Sequence, residues 1–271
     1  MEILVSDLRL NYGAEQPGLA GVDLRLARGE QVAIIGPSGA GKTSLLRCLA
    51  TALRASSGTL QLDTRDPWRL GREDLRVLRS RIGTIHQAPP LPPRQRVVTA
   101  TLAGRLGVWP IWKSLLSLIA PQDIAGARAA LQRLDLTDKL FERCDQVSGG
   151  QLQRVGIARV LYQAPALILA DEPVSALDPA LADHTLAVLC DDARQRGATL
   201  IASLHAVDLA RARFSRIVGV RDGRIAFDKS AGEVSEGDLT ALYASERVTP
   251  GSPPALTSAL PRVSATGLPC C

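Results

Sequence analysis

Apolar residues fall along the chain in two kinds of run. Short ones that read as strands cover 31–35, 81–85, 166–170 and 199–203, whereas in 42–53 and much of 99–163 the apolar positions recur every three or four residues. A run without polar alternation suits a parallel strand covered on both faces, so 166–170 and 199–203 are expected in the middle of a sheet. The spaced runs predict helices, one over 42–53 and a group in 99–163, where Ile124, Leu131 and Leu134 repeat near the helical period. Interleaved strands and helices predict an α/β core with a parallel sheet. Residues 3–10 and 22–27 precede that alternation and predict an antiparallel β portion attached to it. Residues 99–163 then form a helical subdomain within one folded domain over 1–247.

After residue 247 the pattern stops. The stretch 248–271 is rich in Pro, Ser, Thr and Ala with little to bury, and a disordered tail is expected. Hydrophobic residues make up 46% of the 271, enough for a substantial core. Lys and Arg exceed Asp and Glu by 32 − 27 = 5 without any run of five like charges, so a solvated surface is expected and nucleic acid is not.

Cys48, Cys144 and Cys190 lack the spacing of a zinc or redox pair and are expected as reduced thiols in a cytosolic setting. Residues 1–5 offer no basic leader, and no apolar run reaches the roughly 18 to 20 residues that span a bilayer. Work at a membrane would need other subunits to cross it. The pair Cys270 and Cys271 lacks a C-a-a-X box, and no lipid anchor is expected.

The candidate chemistry begins after the 31–35 strand. Gly36, Pro37, Ser38, Gly39, Ala40, Gly41, Lys42 and Thr43 match G-x-x-x-x-G-K-[ST] between a strand and a helix that starts near Gly41. Glycines let the backbone wrap an anion so that N–H groups and a helix N-terminus face its phosphates. Lys42 adds charge at the β and γ phosphates, and the Thr43 hydroxyl is placed to ligate Mg²⁺. The 166–170 strand delivers Asp171 and Glu172 at its C-terminal edge, where an open parallel sheet binds ligands. Asp171 is the candidate Mg²⁺ carboxylate and Glu172 the candidate base for an attacking water.

A third motif narrows the field. Residues Val147, Ser148, Gly149, Gly150, Gln151, Leu152, Gln153 and Arg154 resemble the L-S-G-G-Q signature, with Val for the first Leu, so the chain resembles the ATP-binding subunits of ABC transporters over about 1–247. The physical reading agrees: Ser148, Gly149 and Gly150 would open a helix near Gln151 and make a second anion site.

The resemblance implies ATP and Mg²⁺ as cofactors and a head-to-tail homodimer in which the phosphate loop of one copy meets the signature of the other. It implies further roles for single residues. Tyr12 would stack on adenine, and Ser44 would extend the phosphate contacts. Gln87 would touch Mg²⁺ and the attacking water, Asp178 would belong to a loop crossing the dimer, and His205 would contact the γ-phosphate. His86 and His184 receive no role.

Three stretches, 102–107 with 112–116, 170–179 and 204–210, resemble the ATPases of phosphonate importers. That implies integral membrane permease subunits as partners, indirect work with a periplasmic solute-binding protein, and a peripheral place on the cytoplasmic face of the inner membrane. Trp109, Trp112, Leu115, Leu116, Leu118 and Ile119 form an apolar cluster that serves either as a docking surface or as local core. The segment 88–93, with four prolines, is expected to be extended and stiff. A soluble ABC ATPase driving a non-transport complex and a nucleotide-gated scaffold are the alternatives.

Overall fold

The structure is a computed structural model that describes residues 1–13 and 17–244; the expected tail and the pair Cys270 and Cys271 lie outside the described residues. Its strands are β1 (Ile3–Asn11), β2 (Pro17–Leu26), β3 (Gln31–Ile35), β4 (Ser57–Leu62), β5 (Ile82–Ile85), β6 (Leu167–Asp171), β7 (Thr199–Ser203), β8 (Arg216–Arg221) and β9 (Arg224–Ser230). Its helices are α1 (Lys42–Leu49), α2 (Arg72–Ser80), α3 (Val97–Leu102), α4 (Ile111–Ile119), α5 (Ile124–Gln132), α6 (Gly149–Gln163), α7 (Pro179–Arg196), α8 (Val207–Arg213) and α9 (Glu236–Leu242).

Six strands form one sheet in the order β5-β6-β7-β3-β8-β9, parallel throughout except for the β8–β9 pair. The other three form an antiparallel sheet ordered β2-β1-β4. Unbroken apolar runs explain the middle of the large sheet, because alternate side chains enter different cores. Ala33, Ile35, Ile168, Ala170, Leu200 and Ala202 pack with helical residues such as Leu102, Leu131, Ile157 and Leu186. Val32, Ile34, Leu167, Leu169 and Ile201 pack with Leu45 and Leu49 of α1 and with Ile3 and Val22 of the small sheet. Each Leu or Ile so buried contributes about 2 kcal/mol of transfer free energy, so the two cores fix the strand order.

Several boundaries differ from those expected. The helix predicted over 42–53 ends at Leu49, and Thr51 takes a left-handed φ of 57°. Arg79 holds that turn, its Nε donating to Thr51 Oγ1 and its Nη2 to the Thr51 carbonyl, both at 3.0 Å. The strand predicted over 22–27 starts at Pro17. The 88–93 segment is not fully extended: the Leu91 N–H turns back to the Pro89 carbonyl at 2.8 Å, and the Gln95 N–H reaches the Pro92 carbonyl at 3.0 Å.

Residues 97–163 carry α3 to α6, with Leu131 and Leu134 buried and Ile124 at the surface. Within them α4 is turned inside out. Ser117 is 2% exposed, while Trp112 is 67% and Leu115 60% exposed, with Ile111 and Leu116 beside them. The Ser114 hydroxyl holds that orientation by donating to the Leu106 carbonyl at 3.3 Å. Trp109, by contrast, packs edge-on against Tyr162 with ring centroids 6.4 Å apart and belongs to the core. The side chains of Leu118 and Ile119 lie outside the described residues. Among the described residues no helix is long and apolar enough to cross a membrane.

Candidate nucleotide site

The C-terminal ends of β3, β6 and β7 lie side by side, and the loops leaving them enclose a cleft of about 480 Å³. The loop after β3 needs its glycines for space as well as for backbone angle. Gly36 has φ 152° and Gly41 φ 105°; a Cβ on Gly36 would sit 2.0 Å from the Val220 carbonyl oxygen, and one on Gly41 2.6 Å from that of Gly18. Gly41 is the N-cap of α1, as the motif predicted, so the loop runs straight into a helix N-terminus. Lys42 is buried at the loop's centre, and its Nζ donates to the carbonyls of Gly36 at 2.7 Å and Pro37 at 2.9 Å. Ser38, Gly39, Ala40, Gly41, Lys42, Thr43 and Ser44 all line the cleft.

Thr43, which lines the cleft, meets Asp171 at the end of β6. The Thr43 hydroxyl donates to Asp171 Oδ1 at 3.1 Å, and Ser203, which stands opposite Asp171 in the β6–β7 register, donates to the same oxygen at 2.8 Å. One hydroxyl and one carboxylate oxygen are hard ligands that fit Mg²⁺, which is commonly held by one or two carboxylates with substrate phosphates completing its shell. Among the described residues no cluster of three or more His, Cys, Asp or Glu could hold a metal by itself.

Both carboxylate oxygens of Glu172 are hydrogen-bonded. Gln87 Nε2 donates to its Oε2 at 2.7 Å, and His205 Nε2 is hydrogen-bonded to its Oε1. Its backbone is left-handed, with φ 47°, a conformation that costs about 1 to 3 kcal/mol in a non-glycine residue. The Ser203 hydroxyl supports that turn by accepting from the Glu172 N–H at 3.0 Å. At the mouth of the cleft Tyr12 is half exposed; its hydroxyl lies 3.2 Å from Ser44 Oγ, and one edge of its ring rests on Gly18.

Two predicted groups stand elsewhere. Ser148 caps α6, accepting from the Gln151 N–H at 3.3 Å while Gln151 Oε1 accepts from the Ser148 N–H at 2.9 Å. The helix thus opens at Gly149, two residues before the expected start. Ser148, Gly149, Gly150 and Gln151 do not line the cleft. Asp178 caps α7 by accepting from the Leu181 N–H at 3.0 Å. The two elements touch each other, because a Cβ on Gly150 would lie 3.2 Å from the Ala176 carbonyl oxygen.

The model of the ABC transporter family matches residues 19–175, which contain the phosphate loop, Gln87, the capped glycine pair, Asp171 and Glu172. The chain belongs to the ABC transporter family. Among its relatives, the phosphonates import ATP-binding protein PhnC 2 of Pseudomonas aeruginosa strain UCBPP-PA14 is 62% identical over 94% of this chain and 98% of its own length. PhnC 1 of Cupriavidus necator is 60% identical over 89% of this chain and 86% of its own. The fold matches a dimeric bacterial ABC transporter cassette with TM-score 0.73 and 26% identity, over 84% of this chain and 98% of that one. A dimeric post-hydrolysis cassette bound to ADP and Pi gives 0.72 at 25% identity, over 84% and 98%.

Two residues of this ABC site were not visible in the sequence. Ser203 reads as the last residue of a strand, and its adjacency to Asp171 could have been found only by pairing the strand ends. Gln153 reads as part of the signature helix, yet its side chain reaches the loops that carry Gln87 and Glu172.

Proposed function

We propose that this chain is the ATP-hydrolysing subunit of an importer of phosphonates or related phosphorus oxyanions. The observation that carries the ATPase reading is the convergence of Lys42, Thr43, Asp171, Gln87, Glu172 and His205 on one sheet edge. The high identity to phosphonate importer subunits across nearly the whole chain supports the solute.

With ATP bound, Lys42 exchanges the Gly36 and Pro37 carbonyls for the β and γ phosphates, and Tyr12 offers the free part of its ring to adenine. Thr43 and Asp171 would hold Mg²⁺, which would supply charge neutralisation for the phosphates. Gln87 and His205 orient the Glu172 carboxylate, which takes a proton from the attacking water as its oxygen bonds the γ-phosphorus and the bond to ADP breaks.

Ser148 to Gly150 lie away from their own cleft and serve a second copy, in a head-to-tail pair with two-fold symmetry. Closure of that pair around two ATP molecules drives the permease between conformations, because ATP binds the closed state better. The permease docks on the exposed face of α4 and in a groove of about 600 Å³ lined by Arg72, Arg76, Arg79 and Arg159, which suits acidic partner segments. The subunit works at the inner face of the membrane, and the periplasmic solute-binding protein acts through the permease.

The test is phosphonate uptake by a strain lacking this chain. Wild type restores growth on a phosphonate as sole phosphorus source and Lys42→Ala does not. Undiminished uptake in the deletion strain sinks the solute, and recovery of soluble enzymes in place of a membrane subunit on pull-down favours a non-transport complex.

A further inference from the structure

Gln153 lies one turn inside α6 and is 1% exposed. Its one amide nitrogen donates twice, to the His86 carbonyl at 3.2 Å and to the Pro173 carbonyl at 3.1 Å. His86 immediately precedes Gln87, and Pro173 immediately follows Glu172. A single nitrogen therefore pins together the two loops whose side chains form the 2.7 Å bond between Gln87 and Glu172. One turn further along α6, a Cβ on Gly156 would lie 3.1 Å from Pro89, so the same helix face also bears on the segment after Gln87.

We propose that Gln153 is a positioning residue that sets the geometry of Gln87 and Glu172 and ties it to the helix that begins at Ser148. The proposal rests on the ATPase reading above. A primary amide is the neutral side chain with two hydrogens on one nitrogen, which is what two convergent carbonyls require. Leu offers no donor, and ionised Glu turns a negative charge toward both oxygens. In the head-to-tail pair, Ser148 to Gly150 face the ATP of the other copy while Gln87 and Glu172 face their own. Gln153 therefore links the two nucleotide sites through one side chain, a two-bond relay from the start of α6 to the base.

The test compares wild type, Gln153→Leu and Gln153→Glu as full-length chains, in steady-state phosphate release, in equilibrium binding of a fluorescent ATP analogue, and in thermal unfolding. We expect kcat to fall about tenfold or more while analogue affinity stays within about threefold. If Gln153→Leu fails to fold, the near-isosteric Gln153→Glu supplies the same comparison. A double-mutant cycle separates positioning from general loosening: in a Gln87→Ala background, Gln153→Leu should lower kcat by less than about threefold. A kcat within twofold of an active wild type, or an equal loss in both backgrounds, overturns the proposal alone. Wild type that releases no phosphate overturns the ATPase reading and this proposal with it.

Discussion

Thr43 Oγ1 and Asp171 Oδ1 are hydrogen-bonded at 3.1 Å across 128 residues of sequence, one from the first turn of α1 and one from the last position of β6. The pair joins the phosphate loop to the carboxylate strand. Asp171→Asn keeps the shape and removes the charge, so the Mg²⁺ concentration for half-maximal ATP hydrolysis should rise about tenfold or more. A Mg²⁺ titration of phosphate release checks this, and an unchanged midpoint would remove Asp171 from the metal site.

Glu172 lines the cleft and is held at both carboxylate oxygens, by Gln87 and His205. Glu172→Gln should cut kcat by about a hundredfold or more while leaving ATP binding intact, and it should accumulate an ATP-dependent dimer on size exclusion. Brisk turnover by this variant would move the base to another residue.

Gly36 and Gly39 give a paired test of crowding against backbone angle. Both have positive φ, but a Cβ on Gly36 meets the Val220 oxygen at 2.0 Å while one on Gly39 meets nothing within 4 Å. Gly39→Ala should cost about 1 kcal/mol, and Gly36→Ala clearly more, about 2 kcal/mol or above. Denaturant midpoints at constant slope give both values, and equal losses would refute the steric account.

Trp112 and Leu115 stand on the outer face of α4. Replacing both with Ser should leave the unfolding midpoint and basal ATP hydrolysis as in wild type, since neither fills the core. Recovery of the membrane subunits by pull-down should be lost. Full recovery would show that the permease docks elsewhere.

Burial pushes the Cys190 thiol up to about 12 and the Cys48 thiol up to about 11. Neither forms appreciable thiolate at pH 8, and the thiolate is the reactive species. Alkylation at pH 8, read residue by residue by mass spectrometry, should spare both until the chain is unfolded. Rapid native labelling of either would contradict its placement in the core.

How far the sequence foretold this depends on whether the cause was local. The strands 166–170 and 199–203 and the 36–43 loop were legible because burial on both faces and a wrapped anion each leave a contiguous pattern. The end of α1 was not, since Ala50, Ala52 and Leu53 are good helix formers and a distant arginine, Arg79, holds the turn at Thr51. Ser203 and Gln153 act through strand register and through a side chain crossing between loops, and neither contact has a sequence period. The helix α4 showed its apolar face plainly, but which way that face points depends on contacts without a sequence pattern, such as that of Ser114 with the Leu106 carbonyl.

That outward face has a consequence for the life of the chain in the cell. A copy made in excess of its membrane partners keeps Ile111, Trp112, Leu115 and Leu116 in water, and such a patch invites self-association and capture by chaperones and proteases. Surplus copies should then be removed, leaving the scarcer membrane subunit to set how many complexes exist. Overproduction of this chain alone should yield mostly aggregate, and co-production with its partner should restore yield.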